Sequence, residues 1–336
     1  MKFFRLLVLS CTILFPFSSS QAIRGFKKKH SDKKVVGTHG IKFYNLNNKR
    51  VEDNVSAFKT MKFFYTPKFF GATNFLFPKK TLSAVHGTWN RSWLSRHRVA
   101  KFIRKNNLDM SEYEEKNYKS FDDFFTRRLK PGMRKVDSKA NVFSSPADGK
   151  CYVLTDLKKH TMFNIKGCCC SVLKLVGGDE DLAKKFKGGS LAVIRLAPYD
   201  YHRFHFPCDA AYKNNTYVDG KLDSVNPVAY SRNKNPLLTN KRVLLKLDTK
   251  EFGEVLMIPV GAACVGKIIV DAKLEGNYNK ADEFGYFSCG GSTVALLFER
   301  GAIKFKKKLR KHSEEGYETE VKMGQRIGKK PKAKKR

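Results

Sequence analysis

Ser292 is a candidate nucleophile because two glycines precede it in the chain. The run "YFSCGGSTVALLF", residues 286–298, otherwise has the character of one buried strand, and glycine in a strand interior weakens it. Glycine allows the Gly291 carbonyl to approach a neighbouring hydroxyl in a strained conformation. The simplest electrophile beside Ser292 is its own preceding peptide bond. The run therefore allows self-cleavage at the peptide bond that precedes Ser292.

Two further segments carry reactive side chains. "SSPADGK" places Asp148 in a tight turn, where a carboxylate either faces a cleft or caps its own loop. "LAPYDYHRFHFP" places His202 and His205 after a strand, and positions three apart on an extended chain face opposite sides. One hypothesis is a triad in which Asp148 orients His205, and His205 takes the proton from Ser292. The histidines predict no metal site, because no cysteine or carboxylate cluster completes one.

The elements that would position these residues change character along the chain. After Val142, short apolar or alternating runs are separated by Gly, Asn, Asp and Pro, which predicts an antiparallel, β-rich catalytic domain over residues 135–328. Before it, Ser111 and Glu114 have capping-box spacing, which predicts a helix that ends at the turn Pro131-Gly132. The predicted fold class is α+β, with an N-terminal helical segment over residues 57–134.

The helical segment interleaves aromatic and basic residues. Leu82, Val85, Trp89 and Trp93 have helical spacing, with arginines among them. Such a pattern is typical of a helix in a membrane interface, and equally of a core-facing helix with a solvated basic face. The residues alone leave both interpretations open.

Charge and the N-terminus narrow the class of protein. The chain has 336 residues, with 66 Lys and Arg against 31 Asp and Glu, and a net charge of +35 favours an anionic partner. Residues 1–22 have the layout of a secretory signal peptide, with an apolar stretch shorter than the roughly 20 residues that span a bilayer. This favours the secretory pathway and disfavours a nuclear nucleic-acid binder. Residues 23–56 read as a basic linker and residues 329–336 as a basic tail.

Eight motifs resemble one known family in the same order. Over residues 57–328 they are "YKSFDDFFTRRLKPGMR", "SPADG", "IKG", "APYDYHRFHFP", "GKLDSVNP", "PVGAACVGKI", "GYFSCGGSTVALLFERG" and "MGQRIG". The joint presence of "DYHRFH" and "GST" is the most specific feature. Together they resemble the phosphatidylserine decarboxylases, which are pyruvoyl-dependent enzymes made as proenzymes.

The resemblance implies a cut between Gly291 and Ser292. The β chain would end at Gly291, and the α chain would begin at Ser292, converted into a pyruvoyl group that serves as the pyruvate cofactor. The two chains would stay associated as a heterodimer. The resemblance also implies that Asp148 and His205 act with Ser292 in processing, and that His202 supplies a proton during decarboxylation.

Thr293 and Gly290 have roles that the sequence leaves less defined. Thr293 either positions the Gly291 carbonyl as an oxyanion donor or packs as an ordinary β-branched strand residue. Gly290 stands where the family often has an apolar residue, so we expect it to alter the rate of processing. The catalytic residue types are all retained.

Partners and location follow from the implied reaction. The expected substrate is phosphatidylserine at an anionic membrane surface, and the products are phosphatidylethanolamine and CO2; no nucleic acid is expected. This favours the membrane-associating interpretation of residues 57–134. We expect the endoplasmic reticulum or another endomembrane, and neither a secreted soluble fraction nor a homo-oligomer conflicts with the sequence.

Two alternatives have different consequences. A catalytically inactive, secreted binder of anionic phospholipid or polyanions would keep the fold and the basic charge, and its chain would stay intact. A serine hydrolase would use Asp148, His205 and Ser292 on an external acyl group, but the sequence around Ser292 lacks the GxSxG elbow.

Overall fold

A ten-stranded sheet contains the strand that begins with Ser292. The computed structural model describes residues 41–53, 87–157, 162–165, 168–223, 235–262, 267–288 and 292–332. In spatial order the strands of this sheet are β13 (Asn277–Tyr278), β9 (Ala210–Val218), β10 (Arg242–Thr249), β11 (Gly253–Val260), β15 (Ser292–Phe298), β7 (Ser190–Leu196), β4 (Gly149–Leu154), β17 (Glu318–Val321), β1 (Ile41–Tyr44) and β2 (Arg50–Asp53). The pairs are antiparallel except β1 with β17, which is parallel. The predicted β-rich, largely antiparallel architecture is confirmed.

Smaller sheets and short helices surround this sheet. One small sheet joins β12 (Lys267–Val270), β14 (Glu283–Ser288) and β8 (Arg203–His205); a second joins β16 (Lys304–Phe305), β18 (Arg326–Lys329) and β3 (Val142–Ser144); a third pairs β5 (Met162–Ile165) with β6 (Cys168–Ser171). Among the described residues, the bounded α-helices are α1 (His97–Asn106), α2 (Phe121–Phe125), α3 (Val172–Leu175), α4 (Glu180–Lys185), α5 (Pro236–Thr239) and α6 (Lys307–Glu314). Residues 87–91 are also helical, and Trp93–Ser95 form a 3-10 helix. Among the described helices, none has the length and apolar character needed to traverse a bilayer.

Strand β15 is buried on both faces of the ten-stranded sheet. Val294, Leu296 and Phe298 belong to one hydrophobic cluster, whereas Ala295 and Leu297 belong to another. Alternate side chains of a strand point to opposite faces, so the two clusters cover the two sides of the sheet. This explains why the sequence after Ser292 is continuously apolar instead of alternating.

The run 286–298 is not one strand, so that prediction is wrong. β14 ends at Ser288 and β15 begins at Ser292, and the two strands belong to different sheets. The chain therefore changes from one sheet to the other between Ser288 and Ser292. Residues 289–291, which include Gly290 and Gly291, lie outside the described residues.

Part of the predicted linker is also structured. Residues 41–53 form the hairpin of β1 and β2, and β1 adds to the sheet through pairs such as Phe43 with Glu318. The prediction of a basic linker is wrong for these residues, because the hairpin makes tertiary contacts that its basic composition does not show. The predicted signal peptide, residues 23–40 and residues 54–86 lie outside the described residues.

The helix predicted from Ser111 begins later. Residues 111–120 are irregular, and α2 follows Ser120, whose Oγ accepts the Asp123 N–H at 3.1 Å. Acidic residues in the first turn suit the positive end of this short helix. Phe121, Phe124 and Phe125 of α2 pack with Val99 of α1, so the described part of the helical segment has its own small apolar cluster.

A buried ion cluster joins the hairpin to the central strands. The Arg195 guanidinium on β7 lies 2.8 Å from Glu318 Oε2 and 3.0 Å from Asp53 Oδ2, and all three side chains are nearly inaccessible to solvent. Removing one member of a buried cluster leaves the others imperfectly paired, and this costs more than losing an exposed pair. The cluster therefore makes the position of β2 important for the stability of the whole sheet.

We expect Asp53→Asn to lower the free energy of unfolding by about 2 kcal/mol, because Arg195 then loses one of two buried anions. Urea unfolding of the uncut Ser292→Ala chain measures this effect. Glu52→Gln is the matched control, since Glu52 is half exposed and its ion pair is with the exposed Lys42. Equal losses in the two variants would contradict the role assigned to the buried cluster.

Candidate active site

His202 and Ser292 are in direct contact. The turn that joins β7 to β8, residues 197–202, brings His202 to the beginning of β15. Nδ1 of His202 lies 3.0 Å from Ser292 Oγ, and neither side chain is exposed to solvent. The structure thus unites two of the predicted site residues in a buried nucleophile and base pair.

The second ring nitrogen of His202 defines which atom is the base. Nε2 lies 3.0 Å from the Ala197 carbonyl oxygen, which can only accept a hydrogen bond. Nε2 must therefore carry the proton, and Nδ1 has the free lone pair that accepts the Ser292 hydroxyl. This tautomer is the one that a general base beside Ser292 requires.

The surroundings keep His202 uncharged. Burial, together with the positive charges of Arg127 and Lys150, lowers the pKa of His202 to about 3, although its bond to the Ala197 carbonyl acts in the opposite direction. At neutral pH Nδ1 of the imidazole carries no proton, so it can accept one. In this state His202 is a base towards Ser292.

Residues from the helical segment hold the imidazole in place. The Phe125 ring stacks on His202 with 3.9 Å between the ring centroids. Two residues later, Arg127 Nη2 donates to the carbonyls of Tyr199 at 3.0 Å and Asp200 at 3.2 Å. The short helix α2 thus braces both the ring and the turn that carries it.

An ion pair stabilises the same turn from the sheet. The Asp200 carboxylate accepts the Ala197 N–H at 2.7 Å and the Lys150 ammonium at 2.9 Å. Lys150 is buried on β4 and lies over the Tyr199 ring, 4.4 Å from its centroid. Because the Ala197 carbonyl sets the tautomer of His202, this ion pair indirectly fixes the base.

His205 faces a different neighbourhood from His202. Its Nδ1 donates to the Ala281 carbonyl at 2.9 Å, and its Nε2 accepts the Tyr201 hydroxyl at 3.0 Å. Burial lowers the pKa of His205. The two histidines point in different directions, as their spacing predicted. Among the described contacts, however, the partner of Ser292 is His202 and not the predicted His205.

Asp148 connects segments on either side of the predicted cut. Its carboxylate accepts the Met323 N–H at 2.7 Å and lies 2.9 Å from Arg134 and 3.3 Å from Lys322. Burial alone would raise the pKa of Asp148, but Lys322, Arg134 and the Met323 N–H hold it below its usual value. These described contacts do not include His205, so the predicted orienting role of Asp148 stays a prediction.

Steric crowding explains why the residue after Asp148 is glycine. Gly149 has φ of +156°, and a Cβ there would lie 2.6 Å from the Arg195 carbonyl oxygen. Only glycine lets this strand begin so close to the backbone of β7. The "ADG" triplet therefore combines an anchored carboxylate with a close approach of two strands.

Thr293 has a buried hydroxyl that lacks a hydrogen-bond partner among the described residues. A donor left unpaired in the interior costs free energy unless it serves a group that forms or binds later. Thr293 follows Ser292 directly, so its hydroxyl is available to a carbonyl oxygen created at this site. This favours the interpretation that Thr293 positions a carbonyl oxygen. Thr293 also packs as a residue of β15, so the two roles are compatible.

Sequence reasoning missed the residues that set up His202. Phe125 and Arg127 lie in the motif "FFTRRL", and Lys150 directly follows the "ADG" triplet. In a chain with so many basic residues, nothing in the sequence marks these two cations as buried. The only signal was that "FFTRRL" lies within a motif resembling the family.

A buried serine whose hydroxyl donates a hydrogen bond to a neutral histidine is suited to acyl chemistry, in which the serine oxygen attacks a carbonyl carbon. The model of the phosphatidylserine decarboxylase family matches residues 121–329. The chain belongs to the phosphatidylserine decarboxylase family, an enzyme family.

Its relatives match over nearly their whole length. A protein named phosphatidylserine decarboxylase proenzyme from Clostridium botulinum strain 657 is 38% identical over 292 residues, covering 86% of this chain and 99% of the relative. Proteins of the same name from Chlamydia felis and Chlamydia pneumoniae are 39% and 38% identical, each covering 84% of this chain and 95% of the relative.

The low pKa of His202 predicts acid sensitivity. In the unfolded chain this histidine has its usual pKa of 6.5, so below that pH the unfolded state binds more protons and the folded state loses stability. Between pH 7 and pH 5 we expect His202 to account for a loss of about 2 kcal/mol. Urea unfolding of the Ser292→Ala chain with and without His202→Gln measures this difference.

The Ser292→Ala chain with His202 intact is the reference for that measurement, and His202→Gln should reduce the pH dependence of unfolding. A residual dependence is expected in both chains, because burial also lowers the pKa of His205. An unchanged dependence in His202→Gln would show that the pKa of His202 is the same in the folded and unfolded chain, which would contradict the neutral imidazole assigned to the site.

Proposed function

We propose that this chain is a self-processing decarboxylase that converts phosphatidylserine to phosphatidylethanolamine and CO2. The observation that carries the proposal is the buried Ser292 hydroxyl, 3.0 Å from Nδ1 of the neutral His202. Membership of the family and the name proenzyme, borne by the relatives, support it. The pyruvoyl cofactor would form from Ser292 itself.

Scission begins at the Ser292 hydroxyl. As Oγ bonds to the carbonyl carbon of Gly291, a base must take the hydroxyl proton, and Nδ1 of His202 is the base in contact with it. The Thr293 hydroxyl, which has no hydrogen-bond partner among the described residues, is a donor for the Gly291 oxygen. The Gly291–Ser292 C–N bond then breaks and the released amine takes up a proton, which leaves an ester. Loss of the Ser292 Cα proton eliminates the Gly291 carboxylate, and hydrolysis of the resulting enamine with loss of ammonia leaves a pyruvoyl group at position 292.

His202 is equally placed for the second reaction. The pyruvoyl group supplies a carbonyl that takes up the electrons left when the substrate carboxylate departs. The imidazole of His202 lies beside position 292 and is shielded from water by the stacked Phe125 ring. We therefore propose that His202 exchanges a proton at position 292, while Asp148 and His205 assist scission as the resemblance implies.

The sheet would keep the two chains together after scission. β15 pairs with β11 and β7, β17 pairs with β4 and β1, and β18 pairs with β3, so the α chain is hydrogen-bonded to five of the described strands of the β chain. Asp148 adds contacts to Lys322 and Met323. These contacts support an α–β heterodimer.

Ser292→Ala should remain a single full-length chain, because the variant has no hydroxyl to attack Gly291. The wild-type chain should instead yield a C-terminal fragment beginning at position 292, lighter than a serine terminus by one ammonia. Intact mass spectrometry of both proteins measures this, with Ser288→Ala as the control that must still be cut. The cut wild-type protein should then convert phosphatidylserine without added cofactor.

The same measurements separate the histidines. We expect His202→Gln to reduce decarboxylation by about 100-fold or more, the usual contribution of a general base or acid, and His205→Gln to reduce it less. The mass of each variant shows which histidine scission needs. A folded wild-type chain that stays whole in the presence of membranes would sink the proposal and favour the inactive lipid binder.

Membrane association and a secretory-pathway location are also part of the proposal. Trp93 is 67% exposed and Leu94 43% exposed, and the neighbouring Arg91 and Arg96 are exposed as well. Large apolar side chains flanked by arginines suit a surface that inserts at the headgroup level of an anionic bilayer. Trp93 and Leu94 directly precede α1, which packs on α2.

The double variant Trp93→Ser/Leu94→Ser should bind phosphatidylglycerol vesicles about tenfold more weakly, because two apolar side chains no longer leave water. Vesicle sedimentation of the Ser292→Ala chain measures this, with phosphatidylcholine vesicles for comparison. Leu274→Ser changes a half-exposed leucine of the β-rich domain and should bind normally. Equal binding by all three proteins would rule out Trp93 and Leu94 as the membrane contact.

A further inference from the structure

Arg127 is a buried cation with no carboxylate partner in the part of the chain that the structure describes. Only 3% of it is exposed, and Nη2 donates to neutral oxygens, namely the Tyr199 and Asp200 carbonyls and, at 3.4 Å, the Tyr113 hydroxyl. The guanidinium also lies over the rings of Tyr113 and Phe124. Buried guanidinium groups are usually paired, because an uncompensated charge is costly in the interior. The buried charge of Arg127 therefore favours the binding of an anion beside it.

A small cavity borders Arg127. Its volume is about 60 Å³, and its wall includes Lys116, Arg127, Arg128 and Arg203 against Glu114 and Asp123. A water molecule takes up roughly 30 Å³ of liquid, so the space suits a group of a few heavy atoms and not a sugar or a ring system. Both the size and the excess of cations fit a small oxyanion.

The other charges near the cavity are largely paired already. Lys116 lies 2.6 Å from Asp123, and Arg203 pairs with Glu283. Arg128 is only loosely paired with Glu283, at 3.8 Å, and its side chain is 57% exposed. Arg127 and Arg128 are thus the two cations with charge left for a ligand, one at the buried end and one towards solvent.

Arg127 links the cavity to the reactive residues. It follows α2, whose Phe125 stacks on His202, and it holds the turn that carries His202. The charge of Arg127 also contributes to the low pKa of His202, so the guanidinium is within electrostatic reach of that ring. An anion bound to Arg127 would therefore be held by a residue that also positions the base beside Ser292.

We infer that this cavity binds the phosphate group of a phospholipid headgroup through Arg127 and Arg128. The inference rests on the proposed function, because it assigns the headgroup of that substrate a place beside the reaction site. The planar guanidinium group of arginine presents parallel N–H donors, which match a pair of phosphate oxygens. The buried cation would then acquire its counter-ion only when substrate is bound.

The phosphate fits this role better than the substrate carboxylate. The carboxylate loses its charge during decarboxylation, so a cation held against it would stabilise the ground state and slow the reaction. The phosphate keeps its charge throughout. Binding the phosphate therefore stabilises the bound substrate and the transition state equally. Loss of such binding raises KM and leaves kcat nearly unchanged.

Binding to the uncut Ser292→Ala chain tests the inference without any catalysis. Inorganic phosphate and short-chain dihexanoyl phosphatidylserine are the probes, measured by calorimetry and by displacement of one with the other. We expect Arg127→Gln and Arg128→Gln each to weaken phosphate binding by about tenfold, the loss typical of a charge-assisted hydrogen bond. Arg310→Gln is the matched control, because Arg310 and Arg127 each have a buried Nε without a hydrogen-bond partner among the described residues, but Arg310 lies on α6.

Kinetics of the processed enzyme provide the second readout. Arg128→Gln should raise KM for dihexanoyl phosphatidylserine by about tenfold, with kcat within about twofold and scission unchanged. Arg128 is largely exposed, so this variant should fold even if Arg127→Gln does not. A chain that is never cut would count against the proposed function, while the binding measurements on the Ser292→Ala chain would still decide the anion site.

Three results would overturn the inference. The first is that phosphate fails to bind, and the second is that Arg310→Gln weakens binding as much as Arg128→Gln. The third is that phosphate binds but dihexanoyl phosphatidylserine does not displace it, which would assign the site to free phosphate. A fall in kcat alone for Arg128→Gln would likewise contradict equal stabilisation of the bound substrate and the transition state.

Discussion

The hydrogen bond from the Ser292 hydroxyl to Nδ1 of His202 is the interaction on which the chemistry of this fold depends. It exists because the Ala197 carbonyl keeps the proton on Nε2, and because burial keeps the ring neutral. A protonated or flipped imidazole would present a donor to Ser292 and could not take its proton. The turn 197–202, although short, therefore determines whether His202 can take the proton of Ser292.

Three parts of the molecule converge on that turn. The ten-stranded sheet supplies Lys150, which holds the Asp200 carboxylate, and the start of β15 supplies Ser292. The helical segment supplies Phe125 and Arg127, which pack on the ring and hold the backbone. The exposed Trp93 and Leu94 precede α1, and α1 packs on α2 through the same small apolar cluster that contains Phe125.

How far the sequence could predict this arrangement depends on whether local pattern or distant contact decides each feature. The apolar run after Ser292 predicted a buried strand, because burial on both faces leaves a local signature. The break between β14 and β15 was missed, since both sides of the glycines are apolar and only the sheet assignment separates them. The hairpin at residues 41–53 was missed because its stability comes from Arg195 and β17, far along the chain.

The same distinction holds at the site. Residue types near Ser292 were predictable from "GST" and "DYHRFH", and their spacing correctly separated the directions of His202 and His205. Which histidine contacts Ser292 was not predictable, because the answer depends on the path of the turn after β7. Nor could the sequence show that Arg127 and Lys150 are buried, since burial of a long cation depends on carbonyls, rings and carboxylates contributed by other elements.

The contacts of β15 explain how the sheet would survive the predicted cut. β15 pairs with β7 from Ser292 onward and with β11 from Thr293 onward. All seven of its residues are buried, and residues 294–298 contribute to the two hydrophobic clusters that cover the sheet. Loss of these contacts would leave buried backbone groups without partners. Because every one of them is made by a residue at or after Ser292, the α chain would retain them when the peptide bond before Ser292 is broken.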